Sequence, residues 1–212
     1  MPIIRYRNNI AYYAHVPKCG GSAIEAFLSE IDGLRLAFLD QKYVIEKRSF
    51  NWNLTSPQHV DSESMRILFP EEFFDFQFVI VRNPLQKAIS AFNWHKYIER
   101  NINRLMPLDF FIKNILPYYY KKKGWMDNHF LPQKDFILPN PHTKIFKLEN
   151  NGVQEAKLFL MDRLALKKVS TSEKKVNKAL KENKRDTKVS KKARDIVSKL
   201  YEKDYEEFGY SR

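Results

Sequence analysis

Two segments of this chain combine residue types and spacings that suit anion binding. The first is His15-Val16-Pro17-Lys18-Cys19-Gly20-Gly21-Ser22, and the second runs Arg82-Asn83-Pro84-Leu85-Gln86-Lys87-Ala88-Ile89-Ser90-Ala91-Phe92. In the first, two glycines let backbone N–H groups approach a ligand closely. A helix start after them favours negative charge, and Lys18 adds a full positive charge. In the second, Pro84 suits the first position of a helix, so Arg82 precedes the helix start and Ser90 lies two turns into it. A phosphate above that start can be forked by Arg82 and take a hydroxyl from Ser90. Each residue also has an ordinary use: Lys18 as a solvated loop lysine, Arg82 as the partner of a carboxylate, Ser90 as a hydroxyl bonded back to its own turn. A purely structural pair has no need of the Arg82–Ser90 spacing. Chemistry beyond binding asks for a proton acceptor near neutral pH, and five histidines are present: His15, His59, His95, His129 and His142.

The elements that must carry these residues alternate between strands and helices. Residues 10–16 read as a buried strand, and Ser22 to Ile31 as a helix with Ile24, Phe27, Leu28 and Ile31 on one face. A short strand is expected at 34–38, irregular chain over about 40–57 with a turn at Asn51-Trp52-Asn53, and a helix from Asp61, its cap, to Leu68. Phe76 to Val81 is a near-continuous apolar strand, as in a parallel sheet covered on both faces. Helices follow from Pro84 to about Ile98 and from Pro107 to about Leu116. Residues 144–148 read as the last strand, and the remainder as helix, split near 170–172 and again near 186–190. Such alternation predicts an α/β fold with a central parallel sheet flanked by helices. With no internal repeat and no low-complexity linker, one domain over residues 1–212 is expected.

The first loop departs from the GxxxxGK[ST] pattern, because Lys18 precedes Gly20 and Gly21 rather than following them. The order P-K-x-G-[GT]-[ST] after a strand resembles the 5′-phosphosulfate loop of sulfotransferases that use 3′-phosphoadenosine 5′-phosphosulfate (PAPS). The second segment resembles the same family's 3′-phosphate site, R-[DN]-P-x-x-[RK]-x-x-S-x-[YF]. Further likeness to the carbohydrate branch of that family runs through Asp127-Asn128-His129-Phe130-Leu131-Pro132-Gln133, Lys147-Leu148-Glu149-Asn150 and the closing 200–210 stretch. It covers most of the chain from His15 to Tyr210, with loose stretches at 40–56 and 99–125. The closing aromatics Tyr201, Tyr205 and Phe208 fall at helical spacing and suit core packing.

The resemblance implies a three-layer, P-loop-like fold and transfer of a sulfuryl group from PAPS to a hydroxyl, with adenosine 3′,5′-bisphosphate as the other product. Lys18, Cys19, Gly20, Gly21, Ser22 and Ala23 would hold the 5′ end, and Arg82 and Ser90 the 3′-phosphate. In relatives a basic loop before the final helix closes over the 3′-phosphate and adenine; Asn183, Lys184 and Arg185 occupy that place here. Lys18 and the loop amides would stabilise charge on the leaving oxygen. His59, in Ser56-Pro57-Gln58-His59-Val60, stands where relatives carry a catalytic histidine in a Gly-His-Val-like segment, so it is the expected base. His129 is the runner-up, with acceptor binding as its other role. No metal is expected at the site. The acceptor implied is a carbohydrate or another hydroxyl compound.

Composition narrows the classes. The 212 residues are 43% hydrophobic and 14% aromatic, enough for a sizeable core. The net charge is +12, and residues 163–199 hold 14 Lys or Arg against 4 Asp or Glu, so the rest of the chain is near neutral. That stretch contains no Phe, Tyr or Trp on which bases could stack, so no nucleic-acid partner is expected. It reads as a solvated helical face or as a rim that draws in anions. No transmembrane run and no signal peptide are read, and Cys19, the only cysteine, excludes an internal disulfide. A cytoplasmic location is therefore expected, with peripheral attachment at the inner face of a membrane left open. The alternative is a nucleotide- or polyanion-binding protein, or a P-loop kinase, without sulfuryl transfer. A kinase needs a strand-end Asp for Mg²⁺ and a Ser/Thr directly after its loop Lys, neither of which is read here.

Overall fold

The structure, a computed structural model, describes residues 2–37, 54–166 and 186–212. The expected turn at 51–53, the helix break near 170–172 and the anion-binding candidates Asn183, Lys184 and Arg185 lie outside the described residues. Among the described residues five strands form one sheet: β1 (Ile3–Tyr6), β2 (Asn9–Ala14), β3 (Arg35–Ala37), β4 (Phe76–Val81) and β5 (Thr143–Lys147), in the order β3-β1-β2-β4-β5. β2, β4 and β5 are parallel, with Ala14 opposite Val79 and Val81 opposite Lys147. β1 runs antiparallel to both of its neighbours.

The α/β architecture agrees with the sequence, but the sheet is mixed rather than wholly parallel. The unforeseen strand is β1, joined to β2 by a two-residue turn, Arg7-Asn8, with Arg7 at φ 53°. Hairpin turns of this length usually advertise themselves with glycine, and this one has none. β4 is buried at every position, as expected for the centre of a sheet covered on both faces.

Among the described residues eight α-helices flank the sheet: α1 (Gly21–Ser29), α2 (Ser62–Leu68), α3 (Pro84–Tyr97), α4 (Leu108–Asn114), α5 (Leu116–Tyr119), α6 (Gly152–Arg163), α7 (Lys191–Leu200) and α8 (Glu202–Glu207). α6 packs on β4, β5 and α1, whereas α3 and α4 pack on α7. Two apolar clusters result. One joins the strands to α1 and α6, and the other joins α3, α4, α7 and the chain end through Phe92, Phe111, Phe130, Val197 and Tyr201. Tyr201, Tyr205 and Phe208 are buried, as their spacing predicts. No helix among the described residues is long and apolar enough to cross a membrane.

The connections after β2, β4 and β5 leave from the same edge, and ligands of open α/β sheets bind at the carboxyl ends of parallel strands. The α3 start is well built: Pro84 opens it, and the Asn83 side chain accepts from the N–H groups of Leu85 and Gln86. Asn83→Ala removes both capping bonds and should destabilise the fold by about 1 kcal/mol, read from urea unfolding.

Candidate active site

The turn between β2 and α1 is held in a conformation that its residues would not choose alone. Lys18 has φ 68° and Gly20 has φ 86°, so a non-glycine and a glycine share the left-handed region within three residues. Left-handed backbone at a non-glycine costs about 1–3 kcal/mol and persists only where surroundings enforce it. Here the Lys18 carbonyl accepts from Arg82 Nη1 at 3.4 Å, and the Lys18 ammonium lies 4.0 Å from the centre of the Trp94 ring. Trp94 is on α3, one turn beyond Ser90. The two predicted anion-binding segments are therefore in direct contact.

The other members of the loop take distinct roles. Cys19 is fully buried, its thiol pushed up to about 12 by burial, and it approaches Gln133 Oε1 at 3.4 Å. It offers the site a backbone amide, not a thiolate. Gly20 packs so tightly that a Cβ would stand 2.7 Å from Val153 Cγ2. A Cβ on Gly21 would collide with the imidazole of His15, so that glycine makes room for a side chain beneath the loop. Ser22 is exposed and Ala23 half-buried at the α1 start.

Arg82 is half-buried and has no carboxylate partner among the described residues; its main chain is held instead by Gln133. Ser90 is half-buried, and among the described residues its hydroxyl has no hydrogen-bond partner, so it is not bonded back to its own turn. Lys87, the lysine of the same motif, faces away from solvent. Its ammonium donates to the carbonyls of His129 and Leu131 at 2.9 and 2.7 Å, and burial lowers it to about 8. Lys87 thus fastens the His129 segment to α3.

Four of the five histidines form a row beside this loop. Ring centres are 5.2 Å apart for His15 and His59, 5.0 Å for His59 and His129, and 4.6 Å for His129 and His95. His142 is exposed just before β5, at the opposite end of the sheet. His59 ends a single helical turn, Pro57–His59, and is 8% exposed. Its Nδ1 lies 2.6 Å from Asp127 Oδ2, and the same carboxylate accepts from Ser56 N at 2.6 Å and Ser56 Oγ at 2.8 Å. Burial would lift the Asp127 carboxyl, but His59 and the Ser56 bonds outweigh it and hold it below the usual carboxylate range. With Nδ1–H given to Asp127, the His59 Nε2 carries a lone pair for proton abstraction.

His129 differs. Burial first, then the neighbouring charges of His59, His95, Lys18 and Lys87, press it well below the usual histidine range. Among the described residues its buried Nδ1 has no hydrogen-bond partner. His129 is therefore a neutral imidazole beside the base candidate. His95, bonded to Asn101 Oδ1 at 3.0 Å, is lowered to about 4, chiefly by burial. Donor atoms of His59, Asp127 and His129 lie within 4.8 Å of one another. Because the Asp127 carboxylate is already taken up by His59 and Ser56, we read the group as a hydrogen-bonded dyad with a neutral neighbour and assign no metal ligand in it.

The structure thus gathers Lys18, the loop amides, Arg82, Ser90, His59 and His129 at one edge of the sheet. The sequence singled out no role for Asp127, Glu25, Gln133 or Trp94. Asp127 had one local signal, the Gly124 to Asn128 stretch: Gly124, Met126, Asp127 and Asn128 all have positive φ, a turn fixed by Asn128 bonds to Gly124 N and His59 O. Gln133 closes the segment of family likeness that begins at Asp127, whereas Glu25 and Trp94 lack any such mark.

Comparison with protein families finds that the model described as the sulfotransferase family matches residues 3–211. A search of curated proteins finds no match. The packing of His15 against the loop gives a direct test of the cradle. Gly21→Ala drives a methyl group into the His15 ring and should lower stability by about 1–3 kcal/mol or more, measured by thermal unfolding.

Proposed function

The chain belongs to the sulfotransferase family, and from that premise we propose that it transfers the sulfuryl group of PAPS to a hydroxyl of a carbohydrate or glycoconjugate acceptor, by in-line attack. The observation that supports this reading most is the contact between Arg82 and the Lys18 carbonyl, which sets two anion-binding segments side by side. The residues fit such a donor. A tight glycine cradle opens α1, and a half-buried Arg82 without a carboxylate partner among the described residues stands ready for a dianion. Asn183, Lys184 and Arg185 are proposed to add to the 3′ end. They directly precede Asp186, whose backbone bonds Asn93 and whose carboxylate meets Lys96 and Tyr97, all on the helix that carries Ser90.

When bound, PAPS supplies an activated sulfuryl group and a bisphosphate leaving group. Lys18 and the amides from Cys19 to Ala23 favour negative charge where the leaving oxygen develops it. Asp127 engages the His59 ring at Nδ1, which leaves Nε2 to take the hydroxyl proton. His129, neutral and buried, orients the acceptor. The carbohydrate reading draws on Tyr119, an exposed ring stacked at 5.3 Å on Trp125, which stands two residues before Asp127, since sugars bind on exposed aromatic faces. The free, buried thiol of Cys19 agrees with a reducing compartment, and we propose the cytoplasm.

Two measurements test the reading. Calorimetry should show a clear preference for adenosine 3′,5′-bisphosphate over AMP, and Arg82→Ala should weaken bisphosphate binding by about 1.5–3 kcal/mol. Equal affinity for both nucleotides would remove the 3′ site. His59→Ala should bind bisphosphate normally but lose at least about 10² in turnover of labelled PAPS with a sugar hydroxyl. Should His129→Ala lose turnover while His59→Ala keeps it, the base is His129.

A further inference from the structure

The site contains a second carboxylate–imidazole pair, which the proposed reaction leaves unused. His15 Nδ1 stands 2.9 Å from Glu25 Oε1, and both side chains are buried. The contact lies off the ideal N–H···O line, so among the described residues neither buried atom has a well-formed hydrogen bond. His15 ends the β2 connection and Glu25 is in the second turn of α1, so the pair spans the base of the anion-binding loop. The His15 ring is fixed on three sides. Tyr13 stacks on it at 5.2 Å, Gly21 leaves space for its Nε2, and His59 meets it edge-on at 5.2 Å.

Burial disfavours charge on His15 and holds it below the usual histidine range despite Glu25. Burial alone would raise Glu25, but His15 and His59 outweigh it and keep the carboxyl low. The pair therefore carries a net negative charge directly behind His59. Buried charges of this kind are weakly screened by water or salt.

We propose that Glu25 is a second counter-charge for His59, acting from behind His15 to stabilise the imidazolium formed when His59 takes the acceptor's proton. Its catalytic consequence rests on the sulfuryl-transfer reading; the coupling between Glu25 and His59 does not. Glu25 touches no reacting atom and is a positioning residue. The groups facing His59 are Asp127 at Nδ1, the neutral His129 ring, and His15 with Glu25 behind it. Those facing Glu25 are His15, His59 and the buried Tyr13 phenol, which Glu25 helps to push up after burial. Asp127 contributes a directed hydrogen bond, whereas Glu25 contributes field.

NMR titration of the full chain tests this, following His59 Cε1–H and Glu25 ¹³Cδ with Glu25→Gln as the variant. The substitution keeps the shape of the side chain and removes its charge. Loss of a nearby anion favours the unprotonated ring, so the His59 midpoint should fall by about half to one pH unit. Bisphosphate affinity should stay unchanged. With a hydroxyl acceptor, the acid limb of kcat/KM should move to lower pH by the same amount, and kcat should fall about three- to tenfold. A structural role alone would lower kcat without moving the limb. An unmoved midpoint in a folded variant that binds bisphosphate overturns the proposal. Where the variant does not fold, the unmodified protein decides: Glu25 ¹³Cδ must inflect at the His59 midpoint, and its failure to do so overturns the coupling. A shifted midpoint in a protein that transfers sulfuryl to no acceptor supports the coupling and removes the functional reading instead.

Discussion

The Gln133 side chain is the tie on which both of the segments proposed to bind the anionic donor depend. Its Oε1 accepts from Arg82 N at 2.8 Å and its Nε2 donates to Arg82 O at 2.8 Å, so it pairs with the end of β4 as another strand would. The same Oε1 lies 3.4 Å from Cys19 Sγ in the loop after β2. Gln133 is itself fixed from behind, because its N–H and that of Lys134 donate to the buried Asp204 carboxylate of α8. At the other end of β4, Gln77 makes a matching pair of bonds to the Leu138 main chain. Residues 133–138 are thereby clamped along β4 at both ends. Each bond contributes only about 0.5–1.5 kcal/mol net, but leaving buried partners unpaired costs more. The geometry of the anion platform thus rests on two amide side chains and one carboxylate remote from the ligand.

Around that tie the structure concentrates features that folding alone would avoid. Lys18 and the 126–128 turn hold left-handed backbone without glycine. Lys87 is buried with two carbonyls as its hydrogen-bond acceptors among the described residues, and Asp204 is buried with its carboxyl raised by desolvation, partly offset by its N–H donors. Strained backbone and buried charge are unfavourable unless the surroundings determine them completely. The two apolar clusters supply those surroundings, since Phe130, between the two carbonyls that Lys87 meets, and Leu131, which supplies one of them, belong one to each.

Much of the platform was legible in the sequence, because its signals are local. The loop order of Pro17, Lys18 and the glycine pair, the apolar run of β4, and Asn83-Pro84 as cap and first turn all lie within a few residues of what they shape. Asp61, read as a cap, does accept from Ser64 N. What escaped depends on distance along the chain. β1 pairs through a turn without glycine, so nothing local marks it. Asp127 reaches His59 across 68 residues, Gln133 reaches Arg82 across 51, and neither span has a periodicity to read. The glycine pair was legible in position but not in cause. Gly21 is needed for the His15 ring beneath the loop as much as for any ligand above it.

The row of histidines then acquires a direction. Four imidazoles with centres about 5 Å apart cannot all carry protons, because each added charge opposes the next. The flanking charges decide where one proton rests. Carboxylates stand at the His15–His59 end, through Glu25 and Asp127, whereas Lys18 and Lys87 oppose protonation of His129. Lys18 also opposes it at His95. Protonation is therefore opposed at the end of the row nearest the lysines, after burial, at His129 and His95. That gradient separates two tasks that interfere when they overlap. In the proposed reaction, positive charge is kept for the anionic donor on the Lys18 side, and an imidazolium formed at His59 lies beside Asp127, away from it. In that reaction a base next to Lys18 would have to gain its proton against that charge, an argument for His59 over His129 in the proposed role.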